Sequence, residues 1–394
     1  MTSNPPSRRS LVGGALAGAL LAATPATVAR AAAKPTGSVG TVDDAALPPL
    51  DPDRLRAAVS DLTRPPATSS QLWVAGSEGS WHGSAGVADL ASGRAVKAYD
   101  KIRAGSITKV FLACVVLQLA ARHRVELDAA IGRYLPGLLP RESARITVAQ
   151  LLNHTSGLPD HQGLPETDTP EEVLRHRFDQ WTPEELVGTV TQSPLKFAPG
   201  TKQEYRGINY VLLALLVERL CGRSYGDVID ERVLRPLGLA RTVIPGDDVR
   251  LHGSHVRGYL RMSDGSLRDV TVCNPSSSWG EGELVSTVDD LSRFLEALFR
   301  GALLPSPAME KLFTLPPVDV RMLDGSPARY SLGLQKATVN GVTFWGKTGE
   351  WYGYRTRIFS TRDQRRRFVL SYTPTPLNAR EDMTERVVAA LTGA

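Results

Sequence analysis

Cysteine is scarce in this sequence: Cys114, Cys221 and Cys273 are the only three in 394 residues. So few thiols exclude a disulfide framework, and the fold has to be held by an apolar core. Cys114 and Cys221 fall in apolar helical patterns and read as small buried hydrophobes, while nothing in the spacing supports a bridge to Cys273. An excess of charge is also missing. Lys and Arg number 46 against 41 Asp and Glu, a formal net charge of +5; Arg8, Arg9 and Arg30 supply three of those charges, leaving +2 beyond residue 33. Such a balance gives no reason to expect nucleic acid as a partner. Past the N-terminus no stretch of about 18 apolar residues runs without a charge, so no membrane span is expected in the mature chain. Metal ligands are thin. His252-Gly253-Ser254-His255 has no third ligand at a sensible spacing, and neither a metal nor another cofactor is expected. What remains is 42% apolar and 22% charged, the composition of a globular enzyme, long enough for one large domain or two closely packed ones.

The N-terminus has the three regions of an export signal. Ser7-Arg8-Arg9-Ser10-Leu11-Val12 is basic, Leu11 to Ala23 is weakly apolar, and Val28-Ala29-Arg30-Ala31-Ala32-Ala33 offers small residues for cleavage. The paired arginines predict a signal of the twin-arginine type over residues 1–33 and a secreted, extracytoplasmic protein. Residues 34–50, rich in Pro, Gly and Asp, read as a linker, and 51–394 as the folded domain, with a helical subdomain at about 122–270.

Helical spacing runs over Asp51–Leu62, Ser106–Ala121, Ile146–Asn153, Pro170–Arg177, Pro183–Gln192, Ile208–Leu220 and Tyr225–Leu234, with a last helix near Arg380–Leu391. Two strand-like runs, Gln71–Gly76 and Trp81–Leu90, flank Ser77-Glu78-Gly79-Ser80 in a hairpin pattern. Further strands are expected at Tyr330–Lys336, Val342–Trp345, Tyr354–Ser360 and Arg367–Tyr372. The simplest architecture is α/β in the α+β sense: a mainly antiparallel sheet built from both chain ends and flanked by helices, with an all-helical region inserted.

Ser106-Ile107-Thr108-Lys109 opens the most apolar helical run in the chain. A serine at a helix start faces unpaired N–H groups, and a lysine three residues on shares its face, giving a nucleophile and a nearby base if the lysine can lose its proton. An N-capping serine on an ordinary helix would look the same. Ser193-Pro194-Leu195-Lys196 repeats the spacing, but the proline and the following Pro199-Gly200 make it a turn. Lys347-Thr348-Gly349 ends the strand-like run Val342–Gly346 and precedes another. Lys347 would set a positive charge beside the nucleophile, and Gly349 would let a substrate backbone lie against the strand. An S-x-x-K at a helix start followed by K-T-G on a strand is a specific combination.

With these motifs the sequence resembles the family of class C β-lactamases, serine D-alanyl-D-alanine carboxypeptidases and related esterases, from roughly Asp51 to the C-terminus. Leu151-Leu152-Asn153-His154-Thr155-Ser156-Gly157-Leu158-Pro159, Pro236-Leu237-Gly238-Leu239 and Leu284-Val285-Ser286-Thr287 support it. The resemblance implies a serine β-lactamase or DD-peptidase-like fold and assigns His154 to a structural turn. It also implies a tyrosine proton carrier at Tyr205, its phenolate favoured by neighbouring cations. Backbone N–H groups of Ser106 and Glu350 would form an oxyanion site, and Thr348 would orient substrate. The family's Tyr-x-Asn reads Tyr205-Arg206-Gly207 here, so the asparagine that holds a substrate amide is replaced by Gly207. Glu350 stands where relatives have a small residue and is expected to disfavour anionic substrates at the cleft mouth; Glu283 stands where they have glycine. Trp279, Trp351 and Tyr352 read equally as substrate platforms or packing. Gly222-Arg223-Ser224-Tyr225-Gly226 matches a G-x-S-x-G elbow, but no strand precedes it, and a helix C-cap followed by an N-cap explains it.

The expected function is a serine hydrolase or acyltransferase working through a Ser106 acyl-enzyme, with Ser106, Lys109, Tyr205 and Lys347 catalytic. The partner is a small-molecule or peptide-like acyl substrate, and Gly207 and Glu350 point further to transfer from an ester to an amine acceptor. A catalytically silent sensor module is the third alternative.

Overall fold

In the computed structural model, residues 47–77 and 79–393 are described. The expected signal and most of the linker lie outside them. Strands in chain order are β1 (Ala67–Ala75), β2 (Trp81–Asp89), β3 (Arg94–Ala95), β4 (Ile102–Gly105), β5 (Lys202–Gln203), β6 (Tyr259–Arg261), β7 (Leu267–Asp269), β8 (Leu284–Ser286), β9 (Arg321–Met322), β10 (Gln335–Val339), β11 (Val342–Trp351), β12 (Tyr354–Ser360) and β13 (Arg367–Pro374). The helices used below are α1 (Pro52–Ser60), α2 (Thr108–Ala121), α3 (Val148–Leu152), α4 (Pro170–His176), α5 (Pro183–Thr191), α6 (Ile208–Cys221), α7 (Tyr225–Ile229), α8 (Arg235–Leu237), α9 (Val288–Phe299), α10 (Ser306–Leu312) and α11 (Met383–Thr392).

Seven strands form the main sheet in the order β10-β11-β12-β13-β1-β2-β3, antiparallel throughout. Its seam joins the two chain ends: Leu72 of β1 stands opposite Leu370 of β13. Both inner strands alternate, so one face carries Leu72, Val74, Phe344, Phe359, Phe368 and Leu370 and is covered by Leu55 and Val59 of α1 and Val387 and Leu391 of α11. The other face meets α2, α9 and the helices between β4 and β8. The mainly antiparallel sheet flanked by helices matches the expected class. The pairing of β5 with β9 is parallel.

The fold starts earlier than the expected linker boundary. Leu47 and Leu50 pack on the α1/α11 core, and Arg366 Nη2 donates to the Pro48 carbonyl at 2.7 Å. The hairpin forms as β1 and β2. Thr169-Pro170 and Thr182-Pro183 start α4 and α5 with capping boxes, each threonine accepting from a backbone N–H three residues on.

Three elements differ from expectation. Tyr225–Leu234 is not one helix: the chain widens into a π turn over Asp230–Leu234 between α7 and α8. Pro236 cannot donate an N–H, which favours this wider turn. The strand expected from Tyr330 begins only at Gln335, because Gly333, at φ +118°, bends the chain where a Cβ would overlap Ala113 of α2. Helix α2 starts at Thr108, so Ser106 lies in the turn before it, not at its cap. Cys114 is buried as expected, whereas Cys221 at the end of α6 is half-exposed; all three thiols are free. Among the described residues no helix is long and apolar enough to cross a membrane.

Candidate active site

Helix α2 is apolar on every side and carries one charge, Lys109, which is 1% exposed. Its position is fixed by a close crossing. Gly105 has φ +57°, and a Cβ there would overlap the Glu350 carbonyl and lie 2.6 Å from the Glu350 nitrogen; a Cβ on Gly349 would overlap the Ala104 carbonyl. The two glycines let β4 and β11 touch backbone to backbone, which sets Ser106 beside the 347–350 segment. Thr108 Oγ1 donates to the Gly105 carbonyl at 2.8 Å and accepts from Leu284 N at 2.9 Å, tying the turn to β8.

Two groups meet at the Ser106 hydroxyl, one from its own turn and one from a distant loop. Tyr205 Oη donates to Ser106 Oγ at 2.8 Å, and Lys109 Nζ lies 3.3 Å from the same oxygen. Lys347 Nζ stands 4.6 Å from the centre of the Tyr205 ring and donates to the Thr348 carbonyl at 2.8 Å. The Thr348 hydroxyl is 3.4 Å from that ammonium. Lys347 is therefore separated from Ser106 by one aromatic ring. The K-T-G segment lies inside β11, which continues to Trp351, whereas β10 stops pairing at Gly346, leaving the 347–351 edge free of it. No group among the described residues accepts from the Ser106 N–H.

Tyr205 is held from behind. His154, at φ +62° and buried, accepts at Nδ1 from Arg206 N and Asn209 Nδ2, both at 3.2 Å, and its ring lies 4.5 Å from the Tyr205 ring. Burial, with Lys109 and Lys347 nearby, holds the imidazole well below its usual pKa, so it is a neutral positioning group. Gln203 is fully bonded: Nε2 donates to the Asn153 and Tyr330 carbonyls at 2.8 Å, and Oε1 accepts from Arg329 N and Tyr330 N. That amide locks the three loops around Tyr205.

Protonation runs against part of the expectation. Burial raises the Tyr205 phenol, the Glu281 carboxylate raises it further, and the bond to Ser106 opposes both only in part. The resting group is a phenol, not a phenolate, because desolvation outweighs the neighbouring cations. Burial lowers Lys109, opposed by Glu281, and puts Lys347 well below its usual value, with Lys109 and Arg357 adding to the effect.

Glu281 is the residue that sequence reasoning missed. Lys109 Nζ donates to its carbonyl at 2.7 Å and its Oε2 at 2.9 Å. A neutral amine has two hydrogens for these two acceptors and a lone pair left for the Ser106 hydroxyl proton. A Cβ on Gly207 would overlap the Glu281 carboxylate, so the carboxylate fills the volume left where the family's asparagine is absent. The available signal was a pair of acids in the turn Gly280-Glu281-Gly282-Glu283, an unusual place for two charges.

Other candidates fall away from the nucleophile. Glu350 lies 3.4 Å from Arg357 Nη2 and 3.5 Å from Arg355 Nε on the next strand, and Arg357 continues to Asp382 at 2.6 Å. The carboxylate thereby has two arginines beside it, which offset part of the negative charge expected at the cleft mouth. Trp351 is buried, with Nε1 donating to Cys273 Sγ at 3.2 Å, which makes it packing; Trp279 and Tyr352 stay half-buried. Ser193 sits in a loop, and Lys196 pairs with Asp160 and Glu204. Gly222 is a left-handed C-cap of α6 and Ser224 caps α7.

Glu283, 1% exposed, accepts from Tyr225 Oη and, at 2.9 Å, from Gly280 N. Burial pushes its carboxyl up to about 7. A folded-state value above the unfolded one gives stability that is full below about pH 4.5 and is lost as pH rises through 7, worth about 3 kcal/mol at most. The urea midpoint should therefore fall between about pH 4.5 and 7, and Glu283→Gln should remove that part of the slope. An unchanged slope in the variant would refute the assignment.

A model of the β-lactamase family matches residues 67–392. The chain is 26% identical over 330 residues to penicillin-binding protein 4* of Bacillus subtilis (strain 168), covering 80% of this chain and 68% of that protein. It is 28% identical to a D-aminopeptidase of Cereibacter sphaeroides (strain KD131) over 71% of this chain, but spans only about half of that relative, 51%. Among solved structures, a D-stereospecific amidohydrolase from Streptomyces sp. superposes with a TM-score of 0.74 and 30% identity, covering 86% of this chain and 98% of that one.

Proposed function

The chain belongs to the β-lactamase family, and from that premise we propose that it is a serine hydrolase opening an amide or ester through a Ser106 acyl-enzyme. The observation carrying this reading is the convergence on Ser106 Oγ of Tyr205 Oη at 2.8 Å and Lys109 Nζ at 3.3 Å. Ser106 Oγ attacks the substrate carbonyl and its proton passes to the Lys109 amine, whose own hydrogens stay on Glu281. The oxyanion forms against the N–H groups of Ser106 and Glu350, which the β4–β11 crossing holds side by side. Tyr205, a phenol at rest, gives its proton to the leaving amine or alcohol and regains one from Lys109. Lys347 lies under the ring that bears negative charge in this interval. Water then releases the acyl group by the reverse sequence. Thr348 and Gly349, on the open edge of β11, line up the substrate.

The relatives' names, D-aminopeptidase and D-stereospecific amidohydrolase, favour D-aminoacyl amides and peptides as donors. Transfer to an amine loses one of its two supports because Glu350 is bound by two arginines. The twin-arginine start favours a site of action outside the cytoplasm.

A fluorophosphonate should form one covalent adduct, at Ser106. Turnover of a panel of D- and L-aminoacyl amides, short acyl esters, D-alanyl peptides and a chromogenic cephalosporin should be highest with the D-aminoacyl amides and unaffected by added amine. Folded protein that takes no label would favour the silent sensor, and rates that rise with amine while yielding amide would favour transfer.

A further inference from the structure

Glu281 keeps one oxygen open. Oε2 is bound by Lys109, while Oε1 has no hydrogen-bond partner among the described residues, although the residue is only 8% exposed. It sits over Gly207, in the volume left by the missing asparagine, with only the Lys109 nitrogen between its Oε2 and Ser106 Oγ. Nearby carboxylates are already taken: Asp160 and Glu204 by Lys196 and Arg206, Glu350 by Arg355 and Arg357.

We propose that Glu281 Oε1 receives a free ammonium group on the acyl donor, so that the enzyme takes aminoacyl substrates whose amine is unblocked. This rests on the acyl-enzyme reading of Ser106 and names the substrate class for it. Bond lengths fix the reach. In any α-aminoacyl group the nitrogen lies roughly 2.5 Å from the carbonyl carbon. A donor placed with that carbon about 3 Å from Ser106 Oγ therefore has an ammonium able to reach the carboxylate that shares Lys109 with the serine. An N-acylated amine has no charge for Glu281 and adds bulk where the carboxylate already fills the slot. The asparagine of relatives suits such an amide; here Gly207 and Glu281 exchange an amide partner for a charge partner.

The test is protection of Ser106 from a fluorophosphonate by D-phenylalaninamide and by its N-acetyl derivative, in the wild-type chain and in Glu281→Gln. In the wild type the free amine should slow labelling at concentrations at least tenfold lower than the N-acetyl compound needs, and in the variant the two should agree within about twofold. If Glu281 only positions Lys109, the variant will change the labelling rate but leave the ratio untouched, and the proposal fails. Equal protection by the two compounds in the wild type, or protection by neither, also overturns it. A wild-type chain that takes no label overturns the acyl-enzyme reading itself, and this inference with it.

Discussion

Ser106→Ala is expected to lower kcat by on the order of 10⁴ or more on whichever ester or amide the wild type turns over, and to abolish fluorophosphonate labelling. Ser106 lies in a half-exposed turn and contributes little packing. Its loss frees Tyr205 Oη and Lys109 Nζ towards the cleft but cuts no contact in the core. Stability should therefore change by less than about 1 kcal/mol, and a circular dichroism melt separates lost chemistry from lost fold. A variant that keeps roughly one per cent of activity would point to a different nucleophile, since no general base or oxyanion site can act on a hydroxyl that is absent.

Lys109→Met should be almost as damaging to turnover, by about 10³-fold, and damaging to the fold as well. Methionine fits the apolar channel of α2, but it leaves the Glu281 carboxylate, 8% exposed, without its hydrogen-bond donor. Removing one partner of a buried pair costs about 3–5 kcal/mol. The double variant Lys109→Met/Glu281→Gln should recover most of that stability while remaining inactive, and urea unfolding of the four chains closes the cycle. If the double variant is no more stable than the single one, the pairing of Lys109 with Glu281 is not what holds this turn.

How much of this was legible in the sequence depends on the range of the interaction. Periodicity located α1, α2, α6 and the strands of the seam, because burial on one or both sides leaves a local pattern. The Thr-Pro helix starts were legible for the same reason. The S-x-x-K and K-T-G motifs located the segments that meet at Ser106. Features that depend on a distant neighbour were not legible. Glu350 looks like a charge at the cleft mouth until Arg355 and Arg357 are placed on the next strand. Tyr205 looks like a phenolate until its burial is known. Gly207 reads as a loss, whereas in space Glu281, more than seventy positions away, occupies the vacated volume.

The bond from Arg366 to the Pro48 carbonyl, and the seam that puts Leu72 opposite Leu370, bear on synthesis. The first long strand to leave the ribosome has its partner on one side almost at once, in β2, but its other neighbour is made nearly three hundred residues later. Until then the apolar side that α11 will cover stays open. Completion of the sheet is thus a late event, governed by closure of a very long loop. The nascent chain needs protection from aggregation until its final fifty or so residues have emerged.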